Sequence, residues 1–191
     1  MSNPGINSNT PQTVKKIATQ LRRVGWVGFW LQLVLAVVST LIFVFAIPFA
    51  STGASNPGTG GSLLFALGGL LVLYGSTFWS YRYTRIARQL KNPDVRPKKA
   101  DTIQTIRWGL TSNILGMGLS VLGAESISGT LLGKSLSLAQ PFAVYSPDAL
   151  SKIIQPLDIF IVLANTHTIT AHFVGVFGSL LLLNQIDKSN G

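Results

Sequence analysis

Hydrophobic positions along this chain run in long unbroken stretches, and polar positions gather between them. From Val24 to Tyr81 there is no Asp, Glu, Lys or Arg, and from Ile159 to Ile186 there is none again. Charge is expensive in hydrocarbon, so charge-free apolar runs of about 20 residues read as membrane spans. The first gap can cross a bilayer twice, and the turn-rich stretch Ser51–Gly61 divides it. The pattern predicts four spans, at about 26–49, 62–83, 108–124 and 159–183, with the third extending past Glu125 towards Leu132. The fold class is therefore expected to be all-α, a single four-span membrane domain over residues 13–187. A disordered segment (1–12) is expected before it and a short tail (188–191) after it.

The flanks carry further signals. Val14, Ile17, Leu21 and Val24 recur at helical spacing between Lys15, Lys16, Arg22 and Arg23, which predicts an amphipathic helix lying on the membrane surface and leading into span one. A solvated tail with chance periodicity is the alternative. Trp26 and Trp30 at the start of span one, and Phe78, Trp79, Tyr81 and Tyr83 at the end of span two, form aromatic belts. The second helix is expected to run on through Arg82, Arg85 and Arg88 until Asn92-Pro93 stops it. Asp101 with Gln104 fits a capping box. Ser146, Pro147 and Asp148 predict one short surface helix in the last loop.

Charge then sets orientation. Of fifteen Lys and Arg, four lie in the N-terminal segment, eight between Arg82 and Arg107, and one in the tail. The loop after span one has none, and that after span three only Lys134 and Lys152. The positive-inside rule puts both termini and the middle linker in the cytoplasm. Only 11% of residues are charged, against about 25% in a soluble domain, and mean hydropathy is +0.42. The net charge of +9 is expected to meet anionic lipid headgroups rather than nucleic acid, since the basic residues flank the spans and no basic patch interleaved with aromatics stands apart from them. There is no cysteine, which excludes disulfides and thiolate metal sites. No signal peptide is expected, because the first apolar run is too long for one.

Span three places Ser112, Gly116, Ser120 and Ala124 four apart, and span four does so with Ala171, Gly175 and Ser179. Small residues at that spacing allow close helix approach, so these two helices are expected to pack tightly. Ionisable groups within spans are functional candidates. His172, Asn165 and Thr168 share a face of span four, because intervals of seven and four residues are near whole turns. His167 lies off that face, and Glu125 sits at the end of span three. A metal pathway lined by His172, Asn165 and Thr168, with Glu125 and His167 as weaker candidates, stands beside the plainer reading that these groups hydrogen-bond neighbouring helices. A metal would need a partner from another helix, such as Asn113 or Glu125, or from another subunit. Asp158 reads as an N-terminal helix charge. No Walker, HExxH or GxSxG motif is present, so the chain is expected to be no enzyme and to hold no cofactor.

The order of the motifs adds a resemblance. Gly28-Phe-Trp-Leu-Gln-Leu33, Phe78-Trp-Ser-Tyr-Arg-Tyr83, Ala100-Asp101, Arg107, Asn113-Ile-Leu-Gly-Met-Gly118, Ala139-Gln-Pro-Phe142, Tyr145-Ser-Pro147, Leu157-Asp-Ile-Phe160 and His172-Phe-Val-Gly175 follow one another. This run resembles the four-span chloroplast inner-envelope family described as "permease in chloroplasts" and as a small Tic translocon component, over roughly Val14 to Leu183. The resemblance implies an integral membrane protein with iron permeation and protein import as its competing roles. His172 with Phe173 and Gly175 fits the family pattern, whereas His167 and Glu125 depart from it. With no transit segment, a cyanobacterial-type protein of the plasma membrane is expected. Two functions follow: a permease or permease subunit for a metal ion, iron above all, working as a homo-oligomer or with other membrane subunits; or a structural or assembly subunit with no solute route. The scarcity of carboxylates in the spans favours the second, since divalent cations need them.

The topology is directly testable. Tags inserted in the 51–61 and 82–107 stretches are expected to report opposite compartments, and one shared compartment would refute the four-span reading.

Overall fold

The computed structural model describes residues 11–50, 59–138 and 153–188. Within them lie four long helices, α1 (Gln12–Ala50), α2 (Thr59–Gln89), α3 (Lys99–Leu138) and α4 (Pro156–Lys188), with a 3₁₀ turn at Pro93–Val95. Each is long and apolar enough to cross a membrane. The expected short surface helix at Ser146–Asp148 falls outside the described residues.

The helices alternate in direction and form a ring in which α1 touches α2 and α4, and α3 touches α2 and α4. Local chemistry sets the ends. Asn92 accepts the Asp94 N–H at 3.2 Å and caps the turn after α2, and Pro93 removes the donor that would continue the helix. α3 begins at Lys99, three residues before the Thr102 that an Asp101 cap would make its first. Asp101 thus lies inside the first turn rather than capping it, in the positive field of the helix terminus. At the opposite end of the bundle Lys134 pairs with Asp158 at 2.8 Å, and the same carboxylate oxygen accepts the Gln155 N–H at 2.9 Å. This one ion pair joins the end of α3 to the start of α4.

The radial arrangement is that of a protein dissolved in lipid. Val27, Leu31, Phe45, Leu64, Leu71, Leu115, Phe173 and Phe177 face outwards, while Gln32, Ser39, Asn113, Asn165, Thr168 and His172 are buried. Hydrocarbon accepts exposed leucine without penalty but not an unpaired amide.

Two apolar cores divide the interior. One packs Ala36, Phe43, Ala66, Leu70, Leu73, Ile127, Ala164 and Ala171. The other, at the end rich in Lys and Arg, packs Ala18 and Leu21 against Tyr83, Ile86, Leu90, Ile106, Leu182 and Ile186. The second core corrects one expectation. The amphipathic start of the chain is no separate surface helix, because α1 runs unbroken for 39 residues. A helix of that length spans about 58 Å, far more than a hydrocarbon core of about 30 Å. Its first turns therefore extend beyond the membrane, and their apolar face is buried by α2, α3 and α4 instead of by lipid. The same periodicity serves either burial, which is why sequence pattern did not separate them.

Leu21→Ala is expected to lower stability in detergent by about 2–5 kcal/mol, the cavity cost of a buried leucine, whereas Leu64→Ala, at 72% exposure, should change it little. Equal melting shifts for the two would show that the extension is not packed.

Candidate functional site

Between the two cores lies a polar layer to which all four helices contribute. From α1, the Gln32 Nε2 donates to Asn113 Oδ1 of α3 at 2.8 Å and to the Ala171 carbonyl of α4 at 3.2 Å. From α2, the Ser80 hydroxyl donates to Gln32 Oε1 at 2.7 Å. Asn113 Nδ2 donates to Gly109 O on its own helix at 2.8 Å, which turns Oδ1 towards the bundle axis. From α4, His172 Nδ1 lies 3.2 Å from that Oδ1, and Nε2 lies 3.1 Å from the Gly69 carbonyl of α2. Both atoms facing the imidazole are acceptors. A neutral ring can donate to one of them, and an imidazolium to both.

Two glycines make the layer possible. A Cβ on Gly116 would collide with the His172 ring, and one on Gly175 would collide with the Asn113 amide. The exchange is reciprocal: each helix is bare where the other is bulky and polar. This is the close packing of α3 on α4 expected from the small-residue spacing. The buried face of α3 runs through Gly109, Asn113, Gly116, Ser120 and Gly123. Ser112 and Ala124, counted in the expected ridge, are only partly buried.

Further bonds tie neighbouring levels. Ser39 donates to Ala164 O at 2.8 Å, and Asn165 Nδ2 donates to Ser120 O at 2.9 Å. The Tyr83 and Ser179 hydroxyls are 3.2 Å apart.

The sequence candidates thus fall into three groups. His172, Asn165 and Thr168 share the buried face of α4, but Thr168 donates to its own helix at Ala164 O, 3.0 Å away. Glu125 is exposed on the outer side of α3. His167 is half-buried off the common face, with Nδ1 buried and unpartnered, as is Asn165 Oδ1. Among the described residues, no three of His, Cys, Asp and Glu gather closely enough to hold a metal ion. Sequence reasoning overlooked Gln32 and Ser80. A lone glutamine amid apolar residues was the available signal, because an amide in hydrocarbon needs an internal partner.

Comparison with known proteins places this geometry. The family model described as "Protein of unknown function (DUF3611)" matches residues 11–187. "Protein TIC 21, chloroplastic" of Arabidopsis thaliana is 34% identical over 182 residues, which cover 93% of this chain and 60% of that protein. The chain therefore spans less than two thirds of that relative's length. The match bears out the resemblance to the small Tic component family drawn from the motifs. No solved structure matches.

Asn113→Ala is expected to reduce unfolding free energy in bicelles by about 1–3 kcal/mol, since it leaves buried partners unsatisfied. A cycle with Gln32→Ala should give a coupling of about 0.6–1.7 kcal/mol. Losses additive to within about 0.3 kcal/mol would mean that the amide–amide bond is not made.

Proposed function

We propose that this chain, which belongs to the family described as "Protein of unknown function (DUF3611)", serves membrane transport as a structural or assembly subunit of a larger membrane complex. One observation carries the reading. Gln32, Ser80, Asn113 and His172, which could line a polar route, bond to one another and to helix carbonyls across all four helices. A layer that closes on itself joins helices and offers a passing ion little free coordination. The scarcity of carboxylates within the spans agrees with this, because a divalent cation gives up its hydration shell only to strong oxygen ligands. The resemblance to a translocon component supports the same direction. Partners are other membrane subunits or further copies of this chain, and the basic end, with its arginines on α2, is the face towards the cytoplasm. On this reading the chain is no enzyme and carries no cofactor.

An iron permease is the second reading, favoured by a specific feature: Asn165 Oδ1 and His167 Nδ1 are buried polar atoms without partners. Such atoms are unusual in a native interior and suit a route opened by a rearrangement of α4, with His172, Asn165 and Thr168 along it.

Reconstitution separates the two. Vesicles containing the purified protein alone are expected to show no ferrous iron uptake above empty vesicles, while mild solubilisation of native membranes should recover the chain in a complex larger than its own 20.5 kDa. Iron uptake by the protein alone that disappears in His172→Ala would overturn the subunit reading in favour of the permease.

A further inference from the structure

A cavity of about 320 Å³ opens between the end of α2 and the start of α3, at the basic end of the bundle. Its chemistry is graded. Phe78 and Tyr81, residues 56% and 40% exposed, lie on the membrane side. Arg82 and Arg85 follow them on α2, and Asp101 and Thr105 face them from α3. The Arg82 guanidinium is held over the Trp79 ring, 5.6 Å from its centroid, so this cation is positioned before any ligand arrives. Thr105 Oγ1 already donates to Asp101 O at 2.8 Å, so its hydroxyl has no proton left for a ligand, and recognition falls to the arginines. Two guanidinium groups against one carboxylate leave the cavity with a net positive charge.

We propose that this cavity is a specific site for an anionic phospholipid of the leaflet at the basic end. The phosphodiester would sit between Arg82 and Arg85, whose planar donors match phosphate oxygens. The acyl chains would run down over Phe78 and Tyr81 into the hydrocarbon. Along α2 the aromatic residues of the cavity come first and its guanidinium groups follow, the order an interfacial lipid requires. The proposal separates the row of arginines on α2 into two kinds. Arg82 and Arg85 line the cavity, whereas Arg88, one turn on and also exposed, does not. It stands apart from the assembly reading above, since either function could use such a lipid.

The test is native mass spectrometry of the full chain solubilised from vesicles of equal phosphatidylglycerol and phosphatidylcholine. Wild type is expected to retain phosphatidylglycerol preferentially. Arg82→Gln with Arg85→Gln should cut that preference by about tenfold or more, because charge-assisted hydrogen bonds to the phosphate are lost. Arg22→Gln with Arg88→Gln removes the same charge outside the cavity, from exposed positions where solvent and salt screen it, and should leave the preference within about twofold of wild type. A single Asp101→Asn should strengthen retention. Equal losses in the two double variants would overturn the site and reduce it to diffuse attraction. Displacement of the lipid by millimolar inorganic phosphate would overturn it as well, by making the cavity a site for free phosphate. Melting of each variant in the same detergent shows whether the fold is kept. Should the first double variant fail to fold, wild type without the preference, or Asp101→Asn without the gain, would overturn the proposal on its own.

Discussion

Within hydrocarbon, each polar group needs a partner supplied by the protein, and the structure follows from that demand. Water would satisfy the Gln32 and Asn113 amides anywhere on a soluble surface. Lipid offers them nothing, so they turn inwards and find each other across the bundle. Apolar side chains need no such shelter, and Leu64, Leu71 and Phe173 lie on the outside. The hydrophobic effect drives the helices into the bilayer but does not decide how they sit once there. That decision falls to hydrogen bonds between them and to the small residues that let backbones approach.

The polar layer does two jobs at once. It pairs groups that would be costly alone, and it sets register, because a helix rotated or shifted by one residue would lose several bonds together. Gln32 reaches α3 and α4, Ser80 reaches Gln32, and His172 reaches α2 and α3. Gly116 and Gly175 are the counterpart of these contacts, since no side chain fits where the imidazole and the amide cross. At the basic end a different force takes over. There Ala18, Leu21, Tyr83, Ile86 and Ile106 form an apolar core of the kind found in soluble bundles, in turns that reach beyond the hydrocarbon, where burial from water is again worth having.

This division bears on function. A transporter needs polar groups that exchange partners as the solute moves, whereas a subunit that anchors a complex needs them fixed. Most groups of the layer are paired, but Ser76 Oγ, Asn165 Oδ1 and His167 Nδ1 are buried without partners, and a neutral His172 donates to only one of the two acceptors that face it. The exterior, by contrast, carries varied chemistry: arginines beside aromatic rings on α2, and Glu125 on the outer face of α3. On the readings proposed above, partners and lipids would meet the molecule there.

What sequence alone decided was the number of membrane spans among the described residues and, on α4, which face avoids lipid. Charge-free runs, aromatic belts and Asn92-Pro93 act locally, each through the energy of one segment in its solvent, so they can be read one segment at a time. The face shared by Asn165, Thr168 and His172 was legible for the same reason, being a property of one helix's pitch. Which groups meet across the bundle was decided by tertiary structure. Gln32 sits 81 positions before Asn113 and 139 before Ala171 in the chain, and no periodicity within α1 points to either. The amphipathic start of α1 carried the same ambiguity, since its stripe suits a membrane surface as well as a bundle. Only the presence of three neighbouring helices at that height, each with its own apolar stripe turned inwards, settled which one it covers.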